Sequence, residues 1–394
     1  MSESNIDRLA AYRQAGVDLD LSNVASQIAA NWAQTTWSNR QDEFGGPTAY
    51  DTNFTSAKYL AFDEIRNRPG VGVVFGIDGA GTKPDFYERM WSFRGLGKDL
   101  IAMAADDNPI EGGQAVLVNN ALIVSTLKED YMPYIDELFE GLAEGANEAG
   151  LVLFTGEIAV HGSRLRGPTD FTVDWIGDAM GLVHKDRAIT GAAVREGDEL
   201  WGFAQSNGFR CNGISAVRRA FGSEYGKDWH LIAFGDSTLG QEAIAPSTIY
   251  SGLMTRLTGG YKIEVDPKVD VHGAAHISGG SIPEKVGRML RASGLGADID
   301  TPFDPPAIMK HAQEVTRVSK NDGSTRPMSD EEMITTWHGG QGYVVAINER
   351  DSSALASEAA QLGIIVRKIG RISQTPGIRV TSMGVQTPGK IMEF

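Results

Sequence analysis

The chain has 394 residues, 41% hydrophobic and 22% charged, and a formal net charge of −15 at neutral pH. That profile fits a water-soluble protein of two domains with room for sizeable cores. The acidic balance argues against nucleic acid or an anionic membrane as the main partner, since either attracts a basic face.

The opening MSESNIDRLAAYRQAG is polar and mixed in charge, without the apolar core of a signal peptide. No apolar run approaches the roughly 20 residues that span a bilayer. Residues 4–37 read as two short helices broken near Gly16, and 38–69 as a polar irregular stretch with Gly45, Gly46 and Pro47 marking a loop. Strands are predicted at Val71–Ile77, Ala115–Ser125, Leu151–Thr155 and Asp178–Val183. Between them, Asp130–Ala149 carries Ile135, Leu138, Leu142 and Ala146 at helical spacing, and Gly150 is its stop signal. The charged segment 184–200 separates two domains, placed at 1–186 and 187–394. The second opens with strand Leu200–Ala204 and a helix from Asn212, and has a further helix after Gly280. It closes with strand Gly342–Ile347, helix Ser353–Leu362 and strands Ile364–Ile369 and Ile378–Ser382. Residues 296–330, rich in Pro, Asp and Ser, are predicted as a long surface loop. The mixture is α+β.

Chemistry concentrates in a few places. In VVFGIDGAGTKPDF (73–86) an apolar run breaks into glycine beside a carboxylate, a hydroxyl and an ammonium. Converging N–H groups and Lys83 suit an anionic ligand. A plain turn that ends a strand is the competing reading. Thr82 stands between Gly81 and Lys83, so this is not G-x-x-x-x-G-K-[ST]. Acids recur at element edges: Asp78, Asp99, Asp106, Asp107 and Glu157. Carboxylates gathered near a phosphate loop repel one another unless a cation sits among them, and Mg²⁺ is the usual one. Any one acid alone reads more simply as a cap or a surface charge, but Asp78 and Glu157 each follow an apolar strand beside glycine. His272 and His276 lack the glutamate of H-E-x-x-H, and glycine between them weakens a metal-binding helix. Instead, His276-Ile-Ser-Gly-Gly reads as a glycine turn into a helix N-terminus, which suits a phosphate monoester. In SNGFRCNG (206–213), Arg210 and Asn212 either point at a ligand or form a turn with Asn212 as helix cap. Cys211, the one cysteine, excludes an intrachain disulfide and a cysteine zinc site, and reads as a buried inert thiol in a reducing cytoplasm.

These pieces, in this order, resemble the aminoimidazole ribonucleotide synthetase family, also called phosphoribosylformylglycinamidine cyclo-ligase. YRQAGVDLD (12–20), GIDGAGTK (76–83), GKDLIAMAADD (97–107), TGEIAVHG (155–162), SNGFRCNGISAVRRAF (206–221), VDVHGAAHISGGSIPEKVGRML (269–290) and EMITTWHGGQGYVVAI (332–347) each resemble a family motif, and together they cover nearly the whole chain. The resemblance implies two α+β domains per subunit, the second an α/β sandwich. It also implies a homodimer whose N-terminal domains share a β-barrel, and an active site in a cleft between domains. The implied reaction is ATP plus formylglycinamidine ribonucleotide, a small phosphorylated substrate, giving aminoimidazole ribonucleotide, ADP and phosphate. By the match, Asp78, Asp99, Asp107 and Glu157 would serve Mg²⁺–ATP. Lys83 and the N–H groups of Gly79, Gly81 and Thr82 would hold its phosphates. Ser278, Gly279 and Gly280 would cradle the substrate phosphate. Lys83, Asp107, Arg210 and Asn212 would act on the reacting groups. Departures fall at Arg210 and His338, where the family motifs have His and Asn, and at Ser281, where they have glycine. They make a related enzyme acting on another amide, carboxylate or phosphate acceptor the alternative. A selenophosphate synthetase is disfavoured by the absence of Cys near the glycine loop. A carbamoyl-dehydrating maturation protein is disfavoured by the C-terminal KIMEF.

Overall fold

The structure, a computed structural model, describes residues 19–41, 43–46, 60 and 62–394. The first predicted helix, most of YRQAGVDLD and much of the stretch 38–69 lie outside the described residues. Contact density divides the chain into two compact units. The first holds the described residues up to Pro69, Phe75–Ala105 and Ala115–Met180. The second holds Gly70–Val74, Asp106–Gln114 and Gly181–Phe394.

In the first unit, helix α1 (Leu19–Thr35) precedes strand β1 (Val71–Gly79). Helices α2 (Pro84–Met90) and α3 (Arg94–Ala105), strand β2 (Gln114–Val124), helix α4 (Met132–Ala149), and strands β3 (Val152–Val160) and β4 (Val173–His184) follow. The four strands form one sheet in the order β1-β4-β2-β3, with β2 and β3 parallel. Helix α4 buries Ile135, Leu138, Leu142 and Ala146, the stripe its spacing promised, and Gly150 ends it at φ 71°. Helices α3 and α4 meet at glycine. A Cβ on Gly141 would stand 1.7 Å from the Arg94 carbonyl oxygen, and one on Gly97 would stand 2.2 Å from the Leu142 nitrogen.

The second unit is built on a seven-stranded sheet. Its strands are β5 (Glu199–Ala204), β6 (Val271–His276), β7 (Gly296–Ile299), β8 (Gln341–Ile347), β9 (Val366–Ser373), β10 (Gly377–Thr381) and β11 (Ile391–Glu393). The order is β11-β10-β7-β9-β5-β8-β6, and β10–β7 is its parallel pair. Helices α5 (Ile214–Tyr225), α6 (Ser251–Thr258), α7 (Ser281–Met289), α8 (Ala307–Val315), α9 (Asp330–Thr336) and α10 (Ser352–Gln361) complete it. Core side chains gather in two clusters. One is centred on Leu200, Ile282, Val286, Ile299, Val344 and Ile369, the other on Phe203, Leu253, Leu257, Tyr343, Val345 and Leu355. Sheets with α helices packed over both core clusters follow the layer logic of α+β domains.

One expectation is overturned. Residues 296–330 are not a long surface loop. Strand β7 lies between β10 and β9, with Ala297 and Ile299 almost fully buried, and α8 buries Ile308, Met309 and Ala312. Pro302 and Pro305 fall in the connector and Pro306 caps α8 at its start. The prolines therefore punctuate two short elements rather than mark an unstructured run.

Candidate functional site

Glycine 79 ends β1, and Ala80 N–H donates to the Trp175 carbonyl of β4. That bond holds the start of the Gly79–Thr82 loop against the sheet. Gly81 takes φ 59°, and Gly81 and Thr82 are exposed. Asp78 is partly buried, and its carboxylate accepts from Gly79 N–H at 2.7 Å. Glu157 is exposed on β3, paired in register with Ala121.

Lys83 and Asp99 are different. Both are fully buried, with Lys83 Nζ 2.7 Å and 2.9 Å from the two Asp99 oxygens. Tyr87 donates its hydroxyl to the same carboxylate at 2.7 Å. A lysine sealed in this way does not present its ammonium to a solvent-borne phosphate, and the Asp99 oxygens are taken. The sequence reading gave Lys83 a phosphate and Asp99 a magnesium ion. Burial joins them to each other instead, because two charges leaving water need partners.

The second unit assembles a chain of charged groups directly after α3. Asp106 is fully buried, and its Oδ1 accepts from Tyr250 N–H at 2.9 Å and Ser251 N–H at 2.8 Å, the start of α6. Burial pushes the Asp106 carboxyl above its ordinary value, against the lowering effect of Arg210. Arg210 donates to Asp106 Oδ2 at 3.3 Å, to the Thr248 carbonyl at 3.0 Å, and reaches His276 Nε2 at 2.7 Å. The other ring nitrogen, Nδ1, is 2.7 Å from Asp107 Oδ1. The Arg210 and His276 side chains are 2% and 1% exposed, whereas Asp107 is 36% exposed. Burial alone would raise the Asp107 carboxyl. The hydrogen bond from His276 and the nearby charges of Lys285 and Arg210 outweigh it and hold the group below the usual carboxylate range. Asp107 is therefore an ionised carboxylate with an open face, fixed from behind.

His276 ends β6, opposite Tyr343 of β8, and its ring stacks on the Tyr343 ring. The next residues, Ile277 to Gly280, turn into α7, with Gly280 at φ 78° and Ser281 at φ 52°. Asn212 does not cap α5. That cap is Gly213 in the left-handed region. The Asn212 amide instead lies 3.5 Å from where a Cβ on Gly279 would stand, and its buried oxygen has no hydrogen-bond partner. Arg210 does not face outward as expected, since its two terminal nitrogens are taken by Thr248, Asp106 and His276. His338, the other departure, is buried: its Nδ1 accepts from Gly340 N–H, leaving Nε2 to donate towards the Gly208 carbonyl. It serves as a backbone strut.

Among the described residues no group of three or more His, Cys, Asp or Glu side chains is arranged to hold a metal ion. Asp99 is committed to Lys83, and Asp107 to His276. The sequence reading missed His276 as the partner of Asp107. The Asp106-Asp107 doublet was visible, but nothing local to it announces an imidazole 169 positions on.

Comparison with known proteins accounts for the order of these parts. Residues 61–181 match the family "AIR synthase related protein, N-terminal domain" and residues 195–382 match "AIR synthase related protein, C-terminal domain". The phosphoribosylformylglycinamidine cyclo-ligase of Nitrosococcus oceani is 30% identical over 92% of this chain and 91% of its own. That of Pyrococcus furiosus is 28% identical over 95% and 98%. The fold is shared with the hydrogenase maturation protein HypE solved in complex with ATP, at TM-score 0.52 and 14% identity over 82% of this chain and 84% of that one. In the described residues no helix is long and apolar enough to cross a membrane. The chain belongs to the AIR synthase related family.

Proposed function

We propose that this member of the AIR synthase related family is an ATP-dependent phosphoribosylformylglycinamidine cyclo-ligase. It would close formylglycinamidine ribonucleotide to aminoimidazole ribonucleotide and release ADP and phosphate. The observation that carries the reading is Asp107: an ionised, half-open carboxylate backed by His276, on the strand that leads into the Ser278–Gly280 turn.

The chemistry asks for little covalent work by the protein. An amide oxygen is a poor leaving group, so it takes the γ-phosphoryl of ATP and becomes an iminophosphate. The neighbouring amidine nitrogen attacks the iminophosphate carbon, the C–O bond from that carbon to phosphate breaks, and the attacking nitrogen sheds a proton. Catalysis is then positioning and charge neutralisation. The Ser278–Gly280 turn and the positive end of α7 would receive the substrate phosphate. The buried amide of Asn212 lies against that turn and would meet a polar group of the bound substrate. Asp107 would take the proton released by the ring nitrogen or hold the cation that accompanies ATP. The N–H groups of Gly81 and Thr82 would meet the nucleotide phosphates, the Gly79 N–H being held by Asp78, with the sealed Lys83–Asp99 pair propping α2 and α3 behind them. Magnesium is commonly bound by one or two carboxylates and otherwise by phosphate oxygens and water, so a half-open carboxylate such as Asp107 fits an ion carried by ATP better than a resident one. It would neutralise charge on the transferring phosphoryl group.

A homodimer belongs to the same proposal. Val73, Phe75 and Ile77 alternate along the edge strand β1 and are 40%, 64% and 72% exposed. Three large apolar side chains on one face of an edge strand suit a second copy completing a barrel. Light scattering on the wild type and on Phe75→Asp tests this, with a stable wild-type monomer refuting it. For activity, the purified protein is given Mg–ATP with and without formylglycinamidine ribonucleotide, and ADP and aminoimidazole ribonucleotide are measured. Substrate-dependent formation of both is expected. ADP without the imidazole product would assign another acceptor, and absence of both would overturn the proposal.

A further inference from the structure

Arg210 stands where it decides which nitrogen of His276 carries the proton. A guanidinium has five donors and no acceptor. It lies 2.7 Å from His276 Nε2, so that nitrogen can only present its lone pair. A proton there would place donor against donor. The ring proton is left to Nδ1, which then donates to Asp107 Oδ1 at 2.7 Å. The guanidinium is itself held from three sides: by Asp106 Oδ2, by the Thr248 carbonyl, and by the Tyr250 ring 5.4 Å below it. Asp106 is in turn pinned by two backbone N–H groups at the start of α6. The relay runs in one sense only, from backbone through Asp106, Arg210 and His276 to Asp107.

We infer that Arg210 is a positioning residue that keeps the Nε2 lone pair of His276 facing the guanidinium and its Nδ1–H on Asp107, and thereby aims the open carboxylate of Asp107. His276 then takes no part as a proton donor at Nε2, and Asp107 is the member of the chain that meets the reactants. A second buried histidine–aspartate pair on the same strand shows what the lock adds. His272 Nδ1 is 2.7 Å from Asp198, but its Nε2 faces the Asp270 carboxylate at 3.5 Å. A carboxylate at that position accepts a proton, so it does not enforce the tautomer that a guanidinium enforces.

The inference rests on the cyclo-ligase reading only for its catalytic consequence, and the tautomer is read without substrate. Ring ¹⁵N signals of the full-length protein, assigned by their loss in His276→Asn, should show His276 with a protonated Nδ1 and an unprotonated Nε2. A protonated Nε2 in the wild type would overturn the inference outright, whether or not any variant folds. Arg210→Lys retains a donor and should keep the signature. Arg210→Gln supplies an amide oxygen that can accept, and should give a measurable share of Nε2–H. The His272 signals and the melting temperature serve as controls for the fold. An unchanged His276 signature in Arg210→Gln would also overturn the inference. If the wild type makes aminoimidazole ribonucleotide, Arg210→Gln should lower kcat by ~10–100-fold, the usual effect of removing a group that orients a reacting one. KM for ATP should stay within about twofold, and Arg210→Lys should recover most of the loss. If the wild type makes no such product, the functional reading fails while the tautomer result stands or falls by itself.

Discussion

The two units each bury a basic side chain against an aspartate, and they do so to opposite ends. In the first, Lys83, Asp99 and Tyr87 close on one another and none of the charge reaches solvent. In the second, Asp106 and Arg210 are as deeply buried, yet the chain continues through His276 and surfaces at Asp107. The same elementary need, a partner for each charge taken out of water, is met by a closed ring in one place and an open-ended relay in the other. A closed ring holds helices together. An open one delivers a carboxylate of fixed aim and fixed charge. The proposed function draws on the arrangement whose last member stays partly open to solvent.

The sharpest break would come at that last member. Asp107→Asn keeps the shape and removes the charge, and turnover should fall about a thousandfold, on the scale of losing one well-placed electrostatic group. Its melting temperature should stay close to that of the wild type. Near-normal turnover would return Asp107 to the class of ordinary surface acids. The closed ring should respond in stability. Lys83→Met leaves the Asp99 carboxylate buried without a counter-charge and should cost about 3–5 kcal/mol by denaturant unfolding. The double variant Lys83→Met/Asp99→Leu should recover most of that. A small loss in the single variant would mean that solvent reaches the pair.

Two further acids extend the comparison. Asp330, at the start of α9, accepts from Gln313, Ser382, Thr387 and the N–H groups of Gln386 and Thr387, and the set brings its carboxyl down to about 2 although burial opposes it. A depressed folded-state value means that its contribution is complete above the ordinary carboxylate range and fades as pH falls through that range towards 2. Asp330→Ala should therefore cost about 2–3 kcal/mol at pH 7, as expected for hydrogen bonds to a charged group, and less at pH 3. Glu88 is the opposite case. Its Oε1 accepts from Val173 N–H, its Oε2 has no partner, and burial pushes the carboxyl up to about 7. A raised value means that stability is full below the ordinary carboxylate range and is lost as pH climbs through 7. Glu88→Gln should stabilise the protein by about 1 kcal/mol at pH 8 and have little effect at pH 5. A calorimetric series over pH checks both signs.

Much of the fold was legible because its signals are local. Helix α4 declared itself by spacing and by Gly150, and each predicted strand of the first unit lies within a strand of the structure or within a residue or so of one. Strand β7 was not legible. Four residues, GADI, in the middle of a seven-stranded sheet carry too little pattern, and the prolines that follow drew the eye to a loop. At the site, features carried by neighbouring residues were visible: the glycine turns and the acidic doublet. Residues whose roles depend on distant chain were not. Lys83, just before α2, and Asp99, on α3, looked like independent ligands. Only packing shows that they neutralise each other. Likewise Arg210 was read as a substituted substrate contact, whereas its three partners at 106, 248 and 276 come together only in the folded unit.

The contact between α3 and α4 has a consequence for how such a chain can vary. Main chain meets main chain at Gly97 and Gly141, so the spacing of these helices is set by atoms that every residue possesses. Leucines and alanines nearby can trade volume with one another and leave that spacing alone. A single methyl group at either glycine cannot be accommodated by repacking and would wedge the two rods apart.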